Sequence, residues 1–236
     1  LLPTVTQVGR GEPVADTARV LSRYCDALAI RTFAQDDLEA YAHWATIPVI
    51  NALTDLEHPC QALADFLTLQ EAFGSSLAGL TLAYVGDGNN VAHSLMLCGA
   101  LLGVNVRIGC PEGFAPDPLV LERAGALAVK GAQITVVHDP LEAVRGAQAL
   151  YTDVWASMGQ EEEQAERERA FRGWCLDEAL LSEADPRAIV LHCLPAHRGE
   201  EISAGVIEGG ASRVFDQAEN RLHAQQALLA CLLGGL

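Results

Sequence analysis

The sequence is poor in basic residues. Its 236 residues include 15 Lys and Arg against 31 Asp and Glu, which gives a formal net charge of −16. A chain with this charge repels a phosphate backbone, so nucleic acid is not an expected partner. An anionic small ligand would have to be held by a few well-placed arginines.

Closely spaced cysteine pairs are also lacking. The chain has seven cysteines, an odd number, and no two of them have C-x-x-C spacing. This pattern argues against a disulfide framework and against a zinc ribbon, and it favours a reducing, cytoplasmic location. No apolar run has the length of a membrane span, and no signal peptide opens the chain, so no contact with a membrane is expected.

Aromatic residues make up only 6% of the chain, whereas hydrophobic residues make up 50%. Short aliphatic runs alternate with stretches of helical period, which is typical of parallel strands covered by helices on both faces. The predicted fold class is therefore α/β with doubly wound parallel sheets. The predicted strands lie within residues 26–33, 47–53, 80–88, 105–110, 133–139, 149–155 and 188–194.

Two domains are predicted, with a boundary in the small-residue turn cluster at 73–79. The first comprises residues 1–75 and 218–236, because the last helix (218–234) has no strand after it and is free to return to the first unit. Residues 76–217 form the second. Only two clear strands precede the boundary, too few for a stable sheet, so the first domain is expected to be truncated at its N-terminus. The mixed-charge stretch 161–170 is interpreted as a solvated helix.

An unusual group, His58-Pro59-Cys60-Gln61, stands where a helix over 62–71 is predicted to begin. Proline suits the first turn of a helix, whose N–H groups have no intrahelical partner. An imidazole and an amide three residues apart can both face the space beyond that helix start and hold a small polar carbonyl compound. The alternative is a proline-started helix with a surface histidine.

Polar residues follow several predicted strands, at the edge where parallel sheets collect ligands. Arg31 ends the first strand and is a candidate clamp for a phosphate or carboxylate, or else a surface ion-pair residue. Asp153 follows another strand and is a candidate for an ammonium group, or else a helix cap. Asn89 and Asn90, in "VGDGNN", are candidates for a carboxylate. That string also resembles a dinucleotide fingerprint, but Val91 replaces its third glycine.

The string "LHCLPAHRGEEI" (191–202) turns out of the last predicted strand at Pro195, which leaves backbone carbonyl groups free to accept from an amide ligand. A metal site and a Cys–His nucleophile pair are weaker interpretations, because zinc spacing and a glycine-rich nucleophile turn are both missing. No metal is therefore expected. Arg221 is placed in the first turn of the last helix, as a second candidate anion clamp.

Taken together, these strings resemble the aspartate/ornithine carbamoyltransferase family, and its ornithine-using members in particular. They occur in the family's order over nearly the whole chain. The matching strings are "GRGEPVADTARVLSRY", "IRTF", "HPCQALADFLTLQE", "VGDGNNVAHSLM", "YTDVWASMGQEEE", "HCLPAHRGEE" and "VFDQAENRLHAQQALL".

The resemblance implies transfer of the carbamoyl group from carbamoyl phosphate to the side-chain amine of ornithine, which gives citrulline and phosphate. It implies the catalytic residues Arg31, His58, Gln61 and Cys193. It implies ornithine contacts by Asn90, Asp153, Ser157 and Met158, the last two in a loop expected to act as a lid. The implied contacts of carbamoyl phosphate are Gln7, Arg31, His58, Pro59, Cys60, Gln61, Cys193, Leu194 and Arg221.

The resemblance also implies a homotrimer or a multiple of trimers, with Gln7 lent to a neighbouring subunit, and a cis Leu194–Pro195 bond. No organic cofactor is implied, since phosphate is already a good leaving group. Putrescine, acetylornithine and aspartate transferases, an NAD-dependent oxidoreductase and a non-catalytic remnant remain as alternatives. "DVWASMGQ" offers no basic residue for the second carboxylate of aspartate.

One departure from the family pattern concerns the phosphate. Family members carry a Ser-x-Arg-Thr-Arg string whose loop cradles the phosphate at a helix start. The string is missing here, since "IRTF" does not match it. We expect it in a segment before Leu1, together with further strands of the first domain.

Overall fold

The computed structural model describes residues 11–156 and 164–234 of the chain. Its first part contains two parallel strands that form their own sheet. The elements of this first lobe are α1 (Val14–Leu21), β1 (Leu28–Arg31), α2 (Gln35–Trp44), β2 (Val49–Leu53) and α3 (Pro59–Phe73). Two strands in this lobe agree with the sequence-based count.

The second lobe is built on five parallel strands in the order β5-β4-β3-β6-β7. The chain starts in the middle at β3, winds outward to one edge, then returns to wind outward to the other, which is the doubly wound arrangement. Its strands are β3 (Thr81–Val85), β4 (Asn105–Gly109), β5 (Ile134–Val137), β6 (Ala149–Thr152) and β7 (Ile189–His192). Its helices are α4 (Asn90–Leu102), α5 (Pro118–Leu127), α6 (Pro140–Val144), α7 (Gln164–Ala170), α8 (Glu178–Ser182) and α9 (Ala204–Ile207).

Helices cover both faces of this sheet because successive strand residues point to opposite sides. Leu82 and Tyr84 of β3 belong to one core cluster, together with apolar residues of α4 and α5. Ala83 and Val85 of the same strand belong to a second cluster, with residues of α6, α8 and α9. The predicted α/β class is confirmed, and each predicted strand range contains an observed strand.

The last helix, α10 (Val214–Leu232), packs on α3 of the first lobe and also touches β7. It begins earlier than predicted, because Val214 and Gln217 add a buried turn at its start. Arg221 therefore lies in the second turn and not in the first, so that prediction was wrong. The division of the chain at 75/76 and 217/218 remains a prediction.

The charged helix α7 also differs from its prediction. Residues 161–163 of the predicted range lie outside the described residues. Arg167 is only 7% exposed, so the expectation of a fully solvated helix was wrong at this position. Among the described helices, none combines the length and the apolar content needed to cross a membrane.

Candidate active site

A cleft of about 930 Å³ lies at the carboxyl ends of the strands, between the two lobes. The first lobe contributes the end of β1, the β2–α3 loop and the start of α3. The second contributes the loops after β3, β4, β6 and β7. Six of the predicted site residues line this cleft: Arg31, His58, Asn90, Asp153, Cys193 and Leu194.

His58 is the N-cap of α3, and its ring is held at the cleft wall. Its backbone N–H donates to Ser94 Oγ over 2.7 Å, which ties the helix start to α4. Burial, followed by the positive charges of Arg221 and Arg31, lowers the pKa of His58 to about 4. The imidazole is therefore neutral at physiological pH. Its buried Nδ1 finds no hydrogen-bond partner among the described residues.

Four other predicted residues are not among the described residues that line the cleft: Pro59, Cys60, Gln61 and Arg221. Gln61 Oε1 accepts a hydrogen bond from Arg221 Nη1 over 2.7 Å, which joins two predicted residues 160 positions apart. Pro59 is the first residue of α3. The Cys60 thiol donates to the backbone carbonyl of Asn51 in β2, so it faces the protein interior.

Asp153 follows β6 and is 6% exposed. Its Oδ1 accepts from the Cys193 thiol over 2.9 Å and from the N–H of Val154 over 2.8 Å. Its Oδ2 accepts from Asn89 Nδ2 over 2.8 Å. Three donors thus fix one carboxylate at the cleft, where it can bind an ammonium group.

The two asparagines after β3 make different hydrogen bonds. Asn89 caps α4 through bonds from the N–H groups of Val91 and Ala92, while its amide holds Asp153. Asn90 Nδ2 donates to the Thr54 carbonyl over 2.7 Å and so links the two lobes across the cleft. Asn89 was a candidate for binding a carboxylate, but the structure assigns its side chain to the helix cap and to Asp153.

The same loop speaks against the dinucleotide interpretation. Asn89 Oδ1 accepts hydrogen bonds from N–H groups in the first turn of α4. In a dinucleotide-binding fold, the N–H groups at this helix start bind the pyrophosphate. A Cβ on Gly88 would meet Pro116 N at 2.2 Å and the Ala115 carbonyl carbon at 2.5 Å. The glycine therefore permits contact with another loop of the protein, and this loop occupies the space next to the helix start.

The turn after β7 is fixed by a buried pair of side chains. His192 Nδ1 accepts from the Leu194 N–H over 2.9 Å, and its other ring nitrogen lies 3.1 Å from Glu201 Oε1. Leu194 has a φ of 58°, and the Leu194–Pro195 bond is cis, as the resemblance implies. The ligand atoms of Asp153, His192 and Cys193 lie within 4.8 Å of one another, but both ring nitrogens of His192 are already engaged.

Two features of the cleft were missed from the sequence. Arg167 donates to Asp87 over 2.7 Å and to the Trp155 carbonyl over 2.9 Å, and both members of this ion pair are buried. His93 bridges two loops, with Nδ1 2.8 Å from the Leu56 carbonyl and Nε2 accepting from the Asp117 N–H over 3.0 Å. Neither had a sequence signal, since Arg167 lies in a highly charged stretch and His93 in an apolar helix.

Gln7, Ser157 and Met158 were also predicted to contact substrates. All three lie outside the described residues. Their roles remain predictions, as do the individual roles of the residues at the cleft.

Comparison with known protein families gives two matches along the chain. Residues 2–71 match the carbamoyl-P binding domain of aspartate/ornithine carbamoyltransferase, and residues 78–232 match its Asp/Orn binding domain. A curated relative, the ornithine carbamoyltransferase of Parasynechococcus marenigrum (strain WH8102), is 78% identical over 236 residues, which are 100% of this chain and 74% of that protein.

Comparison with solved structures points to the same family. The ornithine carbamoyltransferase of Gloeobacter violaceus superposes with a TM-score of 0.88 at 60% identity, covering 94% of this chain and 75% of that one. That of Pyrococcus furiosus gives 0.93 at 52% identity, over 98% and 74% of the two chains. The chain thus spans about three quarters of the length of these relatives. On these matches, the chain belongs to the aspartate/ornithine carbamoyltransferase family.

Proposed function

We propose that this protein transfers the carbamoyl group from carbamoyl phosphate to the side-chain amine of ornithine, and that it releases citrulline and phosphate. One observation carries the proposal. A single cleft joins Arg31 and His58 of the first lobe to Asp153 and Cys193 of the second. In this cleft, the cationic Arg31 and the neutral His58 would face carbamoyl phosphate, and the fixed carboxylate of Asp153 would face ornithine.

The first-lobe end of the cleft suits an anionic acyl donor. Arg31 lies at the end of β1, and its positive charge and that of Arg221 both act on His58. His58 has a pKa lowered to about 4, so its imidazole acts as a neutral N–H donor to the carbamoyl oxygen. Attack on the carbonyl carbon builds negative charge on that oxygen, and preorganised donors stabilise it.

The second-lobe end suits an amino acid with an additional amine. Asp153 is fixed by Cys193 and Asn89, and its charge binds the α-ammonium group of ornithine. Glu166 also lines this part of the cleft, whereas the charge of Asp87 is compensated by Arg167. A substrate with a second carboxylate would meet repulsion there, which favours ornithine over aspartate.

The transfer joins the δ-nitrogen of ornithine to the carbamoyl carbon and breaks the bond from that carbon to the phosphate oxygen. The δ-amine must attack as a free base, although the pKa of such an amine in water is about 10. A desolvated cleft lowers this pKa by disfavouring the ammonium form. The proton that the nitrogen loses leaves with phosphate, and the alignment of two bound substrates supplies much of the acceleration.

A side-by-side assay of amines tests the proposal. Purified protein is supplied with carbamoyl phosphate and with ornithine, acetylornithine, putrescine or aspartate, and the carbamoylated product is measured by mass spectrometry. We expect citrulline to form at least tenfold faster than any other product. Transfer to putrescine without transfer to ornithine would overturn the choice of substrate, and no transfer to any amine would overturn the enzyme class.

An oxidoreductase remains the alternative from a different class, suggested by the "VGDGNN" string. Its test is a fluorescence titration with reduced nicotinamide dinucleotide, in which the proposal expects no saturable binding. The engagement of Asn89 and the close approach at Gly88 support that expectation.

We further propose a homotrimer, or a multiple of it, in the cytoplasm. Tyr24, Phe33 and Trp44 are exposed aromatic side chains of the first lobe, and such groups are enriched at subunit contacts. All seven cysteines are unpaired thiols, as expected in a reducing compartment. Light scattering after size-exclusion chromatography tests the trimer, and cell fractionation tests the cytoplasmic location.

A further inference from the structure

Gln61 is almost fully buried, with 2% of its surface exposed, and both ends of its amide are engaged. Its Oε1 accepts from Arg221 Nη1 over 2.7 Å. Its Nε2 donates to Asp65 Oδ1 over 2.8 Å, within the same helix and one turn further on. The oxygen of the amide therefore faces Arg221 of α10, and the nitrogen faces Asp65.

This orientation matters because the two ends of an amide offer opposite hydrogen bonds in nearly the same shape. An oxygen on the side of Arg221 gives a bound acyl donor an acceptor, whereas a nitrogen would give it a donor. The carbamoyl group carries an NH₂ that needs an acceptor. The Gln61 oxygen has two lone pairs, of which Arg221 uses one.

Asp65 enforces the orientation. Its side chain is fully buried, and Oδ1 also accepts from Gln217 Nε2 over 2.6 Å. Turning the Gln61 amide over would place its oxygen against this carboxylate and its N–H groups against the Arg221 guanidinium. Burial raises the pKa of Asp65 to about 7, although the bonds from Gln61 and Gln217 act to lower it. Protonation on Oδ2 would leave Oδ1 as an acceptor, so the restraint is independent of the charge.

Asp65 is itself held from the second lobe. The Oε1 of Gln217 accepts from the backbone N–H of His192 over 2.9 Å. His192 ends β7, immediately before the turn of Cys193 and Leu194. A continuous path of hydrogen bonds thus runs from this turn through Gln217 and Asp65 to Gln61.

We infer that Asp65 is a positioning residue that fixes the Gln61 amide with its oxygen towards the acyl donor, and that Gln217 holds Asp65 in place. The inference rests on the proposed function, because it takes the carbamoyl group as the ligand of that oxygen.

Two substitutions of Asp65 separate the acceptor from the charge. Asp65→Asn keeps an oxygen acceptor for Gln61 and Gln217 and removes the charge. Asp65→Leu keeps the branching at Cγ, although it is larger, and removes the acceptor. Asn220→Leu is the matched control, since Asn220 bonds Thr68 over 3.0 Å at the same α3–α10 contact, apart from Gln61. All variants are first compared for thermal unfolding and for secondary structure.

Steady-state rates are measured first with varied carbamoyl phosphate at saturating ornithine, and then with varied ornithine at saturating carbamoyl phosphate. We expect Asp65→Leu to lower kcat/KM for carbamoyl phosphate about tenfold, as for a lost buried hydrogen bond, and to change KM for ornithine less than twofold. Asp65→Asn should stay within threefold of the parent, and so should Asn220→Leu. Equal losses in Asp65→Leu and Asn220→Leu would show a structural role only. Equal losses in both Asp65 variants would also overturn the inference.

A second readout needs no catalysis. The side-chain NH₂ of Gln61 is observed by nitrogen-15 NMR and assigned by its disappearance in Gln61→Glu. We expect its protons to exchange at least tenfold faster in Asp65→Leu than in the parent or in Asp65→Asn. Unchanged exchange overturns the positioning role, even if the protein transfers no carbamoyl group. A parent protein without transferase activity overturns the proposed function instead.

Discussion

The thiol of Cys193 donates a hydrogen bond to the carboxylate of Asp153, with 2.9 Å between Sγ and Oδ1. The two residues follow the neighbouring strands β7 and β6, so the sheet itself sets their separation. Burial, and then the adjacent Asp153, raises the pKa of the Cys193 thiol well above its usual value. A raised pKa favours the protonated thiol. Cys193 therefore acts as a hydrogen-bond donor that orients Asp153, and not as a thiolate nucleophile.

Removing this donor should weaken ornithine binding. Cys193→Ala leaves Asp153 with fewer hydrogen bonds, and we expect KM for ornithine to rise about tenfold or more, as for a lost hydrogen bond to a charged group. Cys193→Ser keeps a hydrogen-bond donor, so its KM for ornithine should rise less. Steady-state kinetics at saturating carbamoyl phosphate measures the difference.

The matched control is Cys231→Ser, because Cys231 is exposed near the end of α10. It should leave both Michaelis constants unchanged. If Cys193→Ala binds ornithine as tightly as the parent, the hydrogen bond does not matter for the substrate. Fast alkylation of Cys193 by iodoacetamide at pH 7, compared with Cys231, would contradict the raised pKa.

The buried ion pair of Arg167 and Asp87 joins α7 to the loop after β3. Removing one partner leaves a buried charge without its counterion, so Arg167→Met should destabilise the fold by about 3–5 kcal/mol. The double variant Asp87→Leu/Arg167→Met removes both charges and should recover most of that loss. Urea unfolding monitored by circular dichroism measures each free energy.

Arg169→Met serves as the control for this pair, because Arg169 is an exposed residue of the same helix. Its free energy of unfolding should stay within about 0.5 kcal/mol of the parent. An Arg167→Met variant as stable as Arg169→Met would mean that the ion pair contributes nothing to the folded state.

Strands and their order of appearance could be predicted because their signal is local. "LTLAYVGDG" is aliphatic and ends in glycines, and the structure places β3 at Thr81–Val85 within it. The end of α10 was also correct to within two residues, but its start was not. Whether Val214 joins the helix depends on the core cluster that buries it, and several members of that cluster, such as Ala83 and Leu150, lie far away in the sequence.

At the cleft, the sequence identified residues that touch it but not the hydrogen bonds that hold them in place. Asp153 follows a strand, which is visible in the sequence, whereas its contacts with Asn89 and Cys193 join positions 64 and 40 residues away. In the sequence Arg167 is one charge among many, since its burial depends on the tertiary position of α7. Motif spacing reports local geometry, and the supporting hydrogen bonds are mostly non-local.

Gly88 tests the packing of the loop after β3. A methyl group there would overlap the backbone of Ala115 and Pro116, at 2.5 Å and 2.2 Å, and backbone cannot rotate away as a side chain can. Gly88→Ala should therefore cost about 1–3 kcal/mol, the usual range for overpacking. Gly125, within α5, has nothing within 4 Å of such a methyl group.

Gly125→Ala is thus the contrasting control, and it should stabilise the helix by about 0.5–1 kcal/mol. Differential scanning calorimetry of the two variants should show melting temperatures on opposite sides of the parent. Two shifts of the same sign would contradict the assignment of Gly88 to a close backbone contact.

His58 links the acyl-donor site to the pH dependence of stability. Its pKa is lowered to about 4 in the folded protein, whereas an unfolded histidine has a pKa near 6.5. Between these values the unfolded chain binds more protons than the folded one, so stability falls as the pH decreases from about 6.5 towards 4. His58→Gln removes this effect, and its free energy of unfolding should fall less over that window, by up to about 3 kcal/mol. His223→Gln, at an exposed position of α10, should follow the parent. Urea unfolding at a series of pH values measures these differences, and parallel curves for His58→Gln and the parent would mean that the pKa of His58 is not lowered by folding.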